Sequence, residues 1–217
     1  MPVHRNSQKR IIVEGHPYFI TTITYKREKY FEHPLLAELF ISDLRYAESL
    51  KQFVLHGYSV WKNYIVARRA CVYLTPPAVH LLFTPSSKVN YSEIMRSLKT
   101  NFARNVNDIM FHRKENIALE GDVTSRLRRE KIPSIMIDRN ETFRKCFIEM
   151  YRKNFSIPFF KWQKSFHDHI IRDQEDFNHH CSYIYQNAVK YKLVQEPEQW
   201  RWMCREGLFL PVQQKRL

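Results

Sequence analysis

The chain has 217 residues, 44% of them hydrophobic, which is enough apolar material for the core of one domain and too much for a disordered tail. Its net charge of +13 points to a polyanionic partner, nucleic acid before an anionic membrane. The 4 glycines, with neither a Walker A pattern nor a GxGxxG, argue against a glycine-rich phosphate loop. No apolar run reaches the roughly 18 residues of a membrane span, and the opening MPVHRNSQKR has no signal-peptide core, so a cytoplasmic, nucleoid-associated protein with no membrane partner is expected. Cys71, Cys146, Cys181 and Cys204 form no CxxC pair and read as reduced thiols.

Tyr18–Tyr25, rich in β-branched and aromatic residues, reads as a strand. Pro34 opens a helix over 34–51, with Leu36, Leu39, Phe40, Leu44 and Leu50 at helical spacing. Phe53–Val60 reads as a second strand, Tyr64–Leu74 as strand-like, and Ala78–Thr84 as a further strand after Pro76-Pro77. Tyr91 to about Phe111 forms an amphipathic helix with Ser92 as its expected cap and an apolar stripe of Ile94, Met95, Leu98, Phe102 and Val106. Its other face carries Arg96, Lys99 and Arg104. Residues 112–156 read as a charged insertion or lobe, helical around Asn140–Lys153. Phe159–Ile171 reads as the last strand, and Asp173 as the N-cap of a helix over about 174–192. This order predicts an α+β sandwich of the ferredoxin-like split βαβ kind, an antiparallel sheet with helices on one face. The whole of 1–217 is expected to be one such domain, with 193–217 as a C-terminal tail.

Two segments carry chemistry. The first runs Leu74-Thr75-Pro76-Pro77-Ala78-Val79-His80-Leu81-Leu82-Phe83. The second holds Phe166-His167-Asp168-His169-Ile170-Ile171-Arg172-Asp173 and then His180-Cys181-Ser182-Tyr183-Ile184-Tyr185-Gln186-Asn187-Ala188-Val189-Lys190. Alternate residues of a strand share a face, so Ala78 and His80 point the same way. Tyr183 and Asn187, four apart, share a helix face. Taken alone, His80 in an apolar strand reads as a hydrogen-bonded core histidine, and Tyr183 as a packing residue. The alternating His167 and His169 read as packing or DNA contacts rather than zinc ligands, and Trp200 with Trp202 as core or tail docking. The run Arg126-Leu127-Arg128-Arg129 is divided evenly between a solvated face and a DNA-facing one.

Together these segments resemble the REP-associated tyrosine transposases, single-tyrosine members of the HUH endonucleases. That family has a strand reading Met-Pro-Asn/Asp-His-hydrophobic-His-Leu-Leu, then a Ser-x-x-Met-x-x-Leu-Lys helix and a Phe-x-x-His-x-Ile-Arg-Asp segment. A His-x-x-Tyr-Ile-x-x-Asn-Pro-Val-Lys helix and a Leu-Val-x-x-Pro-Glu-x-Trp tail follow. Here Ser92–Lys99 is similar to the middle helix and Leu193–Trp200 to the tail, and the likeness covers about three quarters of the chain in order.

The resemblance implies that Tyr183 is a nucleophile giving a 5′-phosphotyrosine link, and that His80 and Asn187 are ligands of Mg²⁺ or Mn²⁺. It implies a partner of single-stranded DNA with hairpin-forming repeats, and a monomer, with a dimer as the alternative. Arg96, Lys99, Arg104, Arg172 and Lys190 are the expected DNA contacts. The departure is Ala78, which stands where the family has its first metal-binding histidine; a methyl group binds no metal. Thr75, Pro77 and Ala188 also differ, and about a dozen residues near Trp61–Tyr73 are extra. Three expectations follow: a weakly metallated DNA strand transferase, a domesticated DNA-binding protein that lost catalysis with Ala78, or, against the absence of an RNA-recognition signature, an RNA-binding module.

Overall fold

The computed structural model describes residues 10–61, 64–68, 71–75, 78–111, 134–151 and 158–205. The strands are β1 (Tyr18–Ile23), β2 (Val54–Val60), β3 (Tyr64–Arg68), β4 (Cys71–Thr75), β5 (Ala78–Thr84), β6 (His167–Ile170) and β7 (Met203–Arg205). The helices are α1 (Pro34–Lys51), α2 (Tyr91–Phe111), α3 (Ser134–Tyr151) and α4 (Gln174–Lys190).

Five strands form one sheet in the order β6-β1-β5-β2-β7, every neighbouring pair antiparallel. The first four reproduce the ferredoxin-like arrangement: β1 and β2 run parallel with β5 between them, and α1 makes the crossover. The fold expected from the order of elements therefore holds for the sheet. Among the described residues β3 and β4 pair with each other and not with the five-stranded sheet, so the segment between β2 and β5 forms a separate two-stranded ribbon.

Period-two alternation along the strands sorts the core into two layers. Tyr18 and Ile20 of β1 and Val79, Leu81 and Phe83 of β5 point to one face, where α1 and α2 bury Leu36, Leu39, Phe40, Leu44, Ile94, Met95, Leu98 and Phe102. Phe31, Phe40, Phe102, Phe160 and Trp162 interlock there, with ring centroids 5.0–6.0 Å apart. The other face carries Phe19 and Leu82, over which α4 lays Phe177, Cys181 and Ile184. The expectation of helices on one face holds for α1 and α2; α4 takes the opposite face, because its apolar stripe fits the second set of alternating strand residues.

Local chemistry explains most boundaries. Pro34 starts α1, and Gln52 ends it with a left-handed backbone, φ 55°. Asn90, rather than Ser92, caps α2: its Oδ1 accepts from the Glu93 amide at 3.0 Å. Asp173 caps α4 as expected, accepting from the Asp176 amide at 2.8 Å. The last strand is shorter than its sequence pattern. His167–Ile170 pairs with β1, while Phe160 and Trp162 join the α1–α2 core, Trp162 forming an isolated bridge with Thr24. The tail contributes a strand the sequence did not announce, β7, which pairs Gly57, Tyr58 and Ser59 of β2 with Arg205, Cys204 and Met203.

The predicted lobe is in part an ordered helix. α3 packs on α1 and α2, and a buried polar cluster fastens it: Arg139 pairs with Asp43 at 2.6 Å, Asn105 donates to both Asp43 oxygens, and Asn140 donates to Asn105. Burial raises the Asp43 pKa, against the pull of Arg139 and Asn105. The run Arg126–Arg129 lies outside the described residues. Among the described residues no helix is long and apolar enough to cross a membrane.

Candidate active site

β5 and β1 set the floor of the site. His80 pairs with Thr21 across the two strands, and both side chains face α4. The His80 Nδ1 and the Thr21 hydroxyl share a hydrogen bond of 2.9 Å. With Nδ1 carrying the proton and donating to Thr21, Nε2 is the lone-pair atom, the tautomer a metal ligand requires. His80 is 8% exposed, and burial lowers its pKa to about 4, so the ring is neutral at pH 7.

α4 forms the roof. Its capped start and its contacts with β2, β5 and β7 fix its rotation, and Tyr183 comes to lie edge-on to His80, ring centroids 5.2 Å apart at 86°. Phe19 braces both, 5.6 Å from each ring. Asn187 follows one turn later and is 2% exposed. Burial raises the Tyr183 pKa above its ordinary value of 10, and a hydrogen bond from the Asn187 amide offsets part of the rise. The Asn187 Oδ1 is buried with no protein partner. An orphaned carbonyl oxygen here is costly unless a cation or water meets it, so the residue fits a hard metal ion. The sequence-predicted trio of His80, Tyr183 and Asn187 is thus brought together on one side of the sheet.

Ala78 lies on the same face as His80, paired with Ile23 and 5% exposed. Trp61, which the sequence did not single out, closes this end of the site. Its amide donates to the Ala78 carbonyl at 2.8 Å, and its ring stands 6.2 Å from His80 and 5.4 Å from Tyr191. Trp200 packs behind it at 6.1 Å. The Trp200–Trp202 pair is therefore tail docking, as expected: Trp200 is buried, and the Trp202 carbonyl accepts from Val60.

The predicted basic contacts divide between the faces. Arg172 and Lys190 are exposed and flank α4, on the Tyr183 side. Arg96, Lys99 and Arg104 lie on α2, across the sheet from Tyr183. Lys99 is committed to structure: its ammonium donates to the carbonyls of Gln163 at 2.7 Å and Ser165 at 3.2 Å, and burial lowers its pKa to about 8. Arg96 and Lys99 line an open cleft of about 530 Å³ together with Arg10, Lys164 and Phe166. Arg10 lies 3.7 Å over the Phe166 ring. Neither Arg10 nor Lys164 is marked by any local pattern, since only the fold brings them to α2.

Comparison with known proteins agrees with the resemblance read from the residues. A protein of Haemophilus influenzae described as a putative REP-associated tyrosine transposase is 44% identical over 39 residues, 18% of this chain and 22% of that one. The REP-associated tyrosine transposase of Escherichia coli K12 is also 44% identical over 39 residues, 24% of its length. The chain thus matches under a quarter of the length of these curated relatives. No family model matches. A solved structure of a REP-associated tyrosine transposase bound to a REP hairpin aligns with a TM-score of 0.49 at 17% identity, covering 90% of this chain and 79% of that one.

Proposed function

We propose that this protein binds single-stranded, hairpin-forming DNA and cleaves it through Tyr183, as a transposase of the REP-associated kind. The observation that carries the reading is the convergence of Tyr183, His80 and Asn187 on one face of the sheet, with His80 and Tyr183 separated by 103 positions in sequence. The local likeness to two proteins described as REP-associated tyrosine transposases supports it, as does the charge of +13.

In this reading the Tyr183 oxygen attacks the scissile phosphorus in line. A Tyr183 O–P bond forms, the P–O3′ bond breaks with its electron pair going to O3′, and the leaving oxygen takes up a proton to become a free 3′-hydroxyl. The phenolic proton must first pass to solvent, and burial makes that uphill at pH 7; the Asn187 amide stabilises the phenolate. His80 Nε2 and Asn187 Oδ1 would hold Mg²⁺ or Mn²⁺, whose chemistry when bound is to polarise the phosphate. Two ligands would make a weak protein site, with water and DNA phosphate left to fill the remaining positions. The exposed Arg172 and Lys190 guide the strand on the Tyr183 side, and the α2 cleft takes a more distant phosphate or base. The protein acts as a monomer at the nucleoid.

Ala78 gives the second reading its one specific support: a scaffold that binds hairpin DNA and no longer cuts it. The deciding experiment mixes purified protein with labelled single-stranded hairpin DNA and Mn²⁺ and resolves the products on a denaturing gel. A slower, protease-sensitive band that vanishes in Tyr183→Phe is the expected result. Binding without that band in the native chain refutes cleavage and leaves the binding protein.

A further inference from the structure

A second constellation lies on the same face, on the far side of Phe19 from His80. β6 presents His169 opposite Phe19, and the first two turns of α4 present Asp176 and His180. His169 Nε2 is 2.9 Å and 3.1 Å from the two Asp176 oxygens. His180 Nδ1 is 3.2 Å from Asp176 Oδ1 and 2.9 Å from the Asp176 carbonyl. The two imidazoles stack with centroids 4.7 Å apart at 22°, and His180 also packs on Phe19 at 4.5 Å. Asp176 further accepts from the Arg172 amide at 3.1 Å and from Arg172 Nε at 3.3 Å.

We propose that His169, Asp176 and His180 form a second metal site, selective for a borderline transition cation such as Zn²⁺. One potential ligand atom from each residue lies within 4.8 Å of the others. Donors about 2.1 Å from a shared tetrahedral cation stand about 3.4 Å apart, so closure needs the side chains to draw together by about an ångström. Two imidazoles and one carboxylate suit Zn²⁺ over Mg²⁺, which prefers all-oxygen shells, so this site differs in kind from that at His80 and Asn187. Three protein ligands leave a coordination position open. The His169 side chain is 40% exposed, so that position faces solvent, where water or a DNA phosphate oxygen can enter. The cation would clamp edge strand β6 to the start of the helix that carries Tyr183 three residues after His180. Binding at this site does not depend on the proposed cleavage.

The test uses tag-free, chelator-stripped full-length protein, titrated with Zn²⁺ by calorimetry and with Co²⁺ by visible absorption. One equivalent of Zn²⁺ is expected to bind, unchanged in His80→Ala and weakened at least about tenfold in His169→Gln and in His180→Gln. His169→Cys is expected to add an intense thiolate-to-cobalt charge-transfer band, a signature that altered folding does not produce. Absence of Zn²⁺ binding, binding indifferent to His169→Gln, binding lost in His80→Ala instead, or a His169→Cys protein without the band each overturns the site.

Discussion

His80 and Tyr183 meet edge to face across the seam between β5 and α4, with ring centroids 5.2 Å apart. Neither is free to turn: Thr21 holds the imidazole from below and Phe19 packs on both rings. What this pair lacks is a second imidazole at Ala78. Ala78→His is expected to tighten Mn²⁺ binding by at least tenfold, since a direct ligand counts for no less than the 10–100-fold of an outer-shell partner. The Mn²⁺ dependence of DNA cleavage, compared with direct Mn²⁺ titration, reads this out. Equal Mn²⁺ affinity in both proteins would mean that residue 78 does not reach the cation.

The burial of His80 makes metal-free stability depend on pH. Its folded pKa, about 4, lies below the unfolded value near 6.5, so the unfolded chain takes up the proton first. The stabilisation is complete above pH 6.5 and is lost as pH falls towards 4. A gap of this size corresponds to about 3 kcal/mol at most. Urea denaturation in EDTA at pH 7 and pH 4.5 is expected to show a larger acid loss in the native chain than in His80→Gln. Identical losses would place the titration elsewhere.

The docking of α3 rests on Arg139 and the nearly inaccessible Asp43. Arg139→Met leaves that carboxylate without its cation and is expected to cost about 3 kcal/mol. The double variant Asp43→Asn, Arg139→Met is expected to recover part of the loss, because no unpaired charge then remains buried. A double variant as unstable as the single one would show that packing, not charge, fixes the helix.

Strands and helices with regular periodicity were legible in the sequence. Ala78–Thr84 and Pro34–Lys51 begin and end where alternation, proline and helical spacing put them. The i, i+4 spacing of Tyr183 and Asn187 and the strand position of His80 sufficed to group the site once a resemblance supplied the roles. What stayed hidden depends on contacts distant in sequence. β7 is three residues long and exists because β2 has an open edge. Trp61 enters the site only through pairing of its amide with Ala78. The side of the sheet that α4 covers depends on which alternating set it meets, and the pattern of either segment alone leaves that open.

Gly57 controls how closely α4 can approach the sheet. It follows a register shift in β2, and a Cβ built there would lie 3.2 Å from the Cys204 carbonyl oxygen and 3.6 Å from Ile184 Cδ1. Ile184 is the residue next to Tyr183, and its side chain belongs to the layer that seats α4. Gly57→Ala must therefore push on β7 at the Cys204 carbonyl, with Ile184 of α4 at ordinary contact distance, and overpacking of this kind costs about 1–3 kcal/mol. Gly57→Val adds two more methyl groups and is expected to cost more. If α4 moves, covalent DNA adduct formation should fall further than hairpin binding, because only the adduct needs Tyr183 in register with His80. If β7 yields instead, stability falls while the ratio of adduct to binding holds. Denaturation midpoints and adduct yields measured together on both variants separate these outcomes, and two variants as stable as the native chain would show that the approach at Gly57 is not tight.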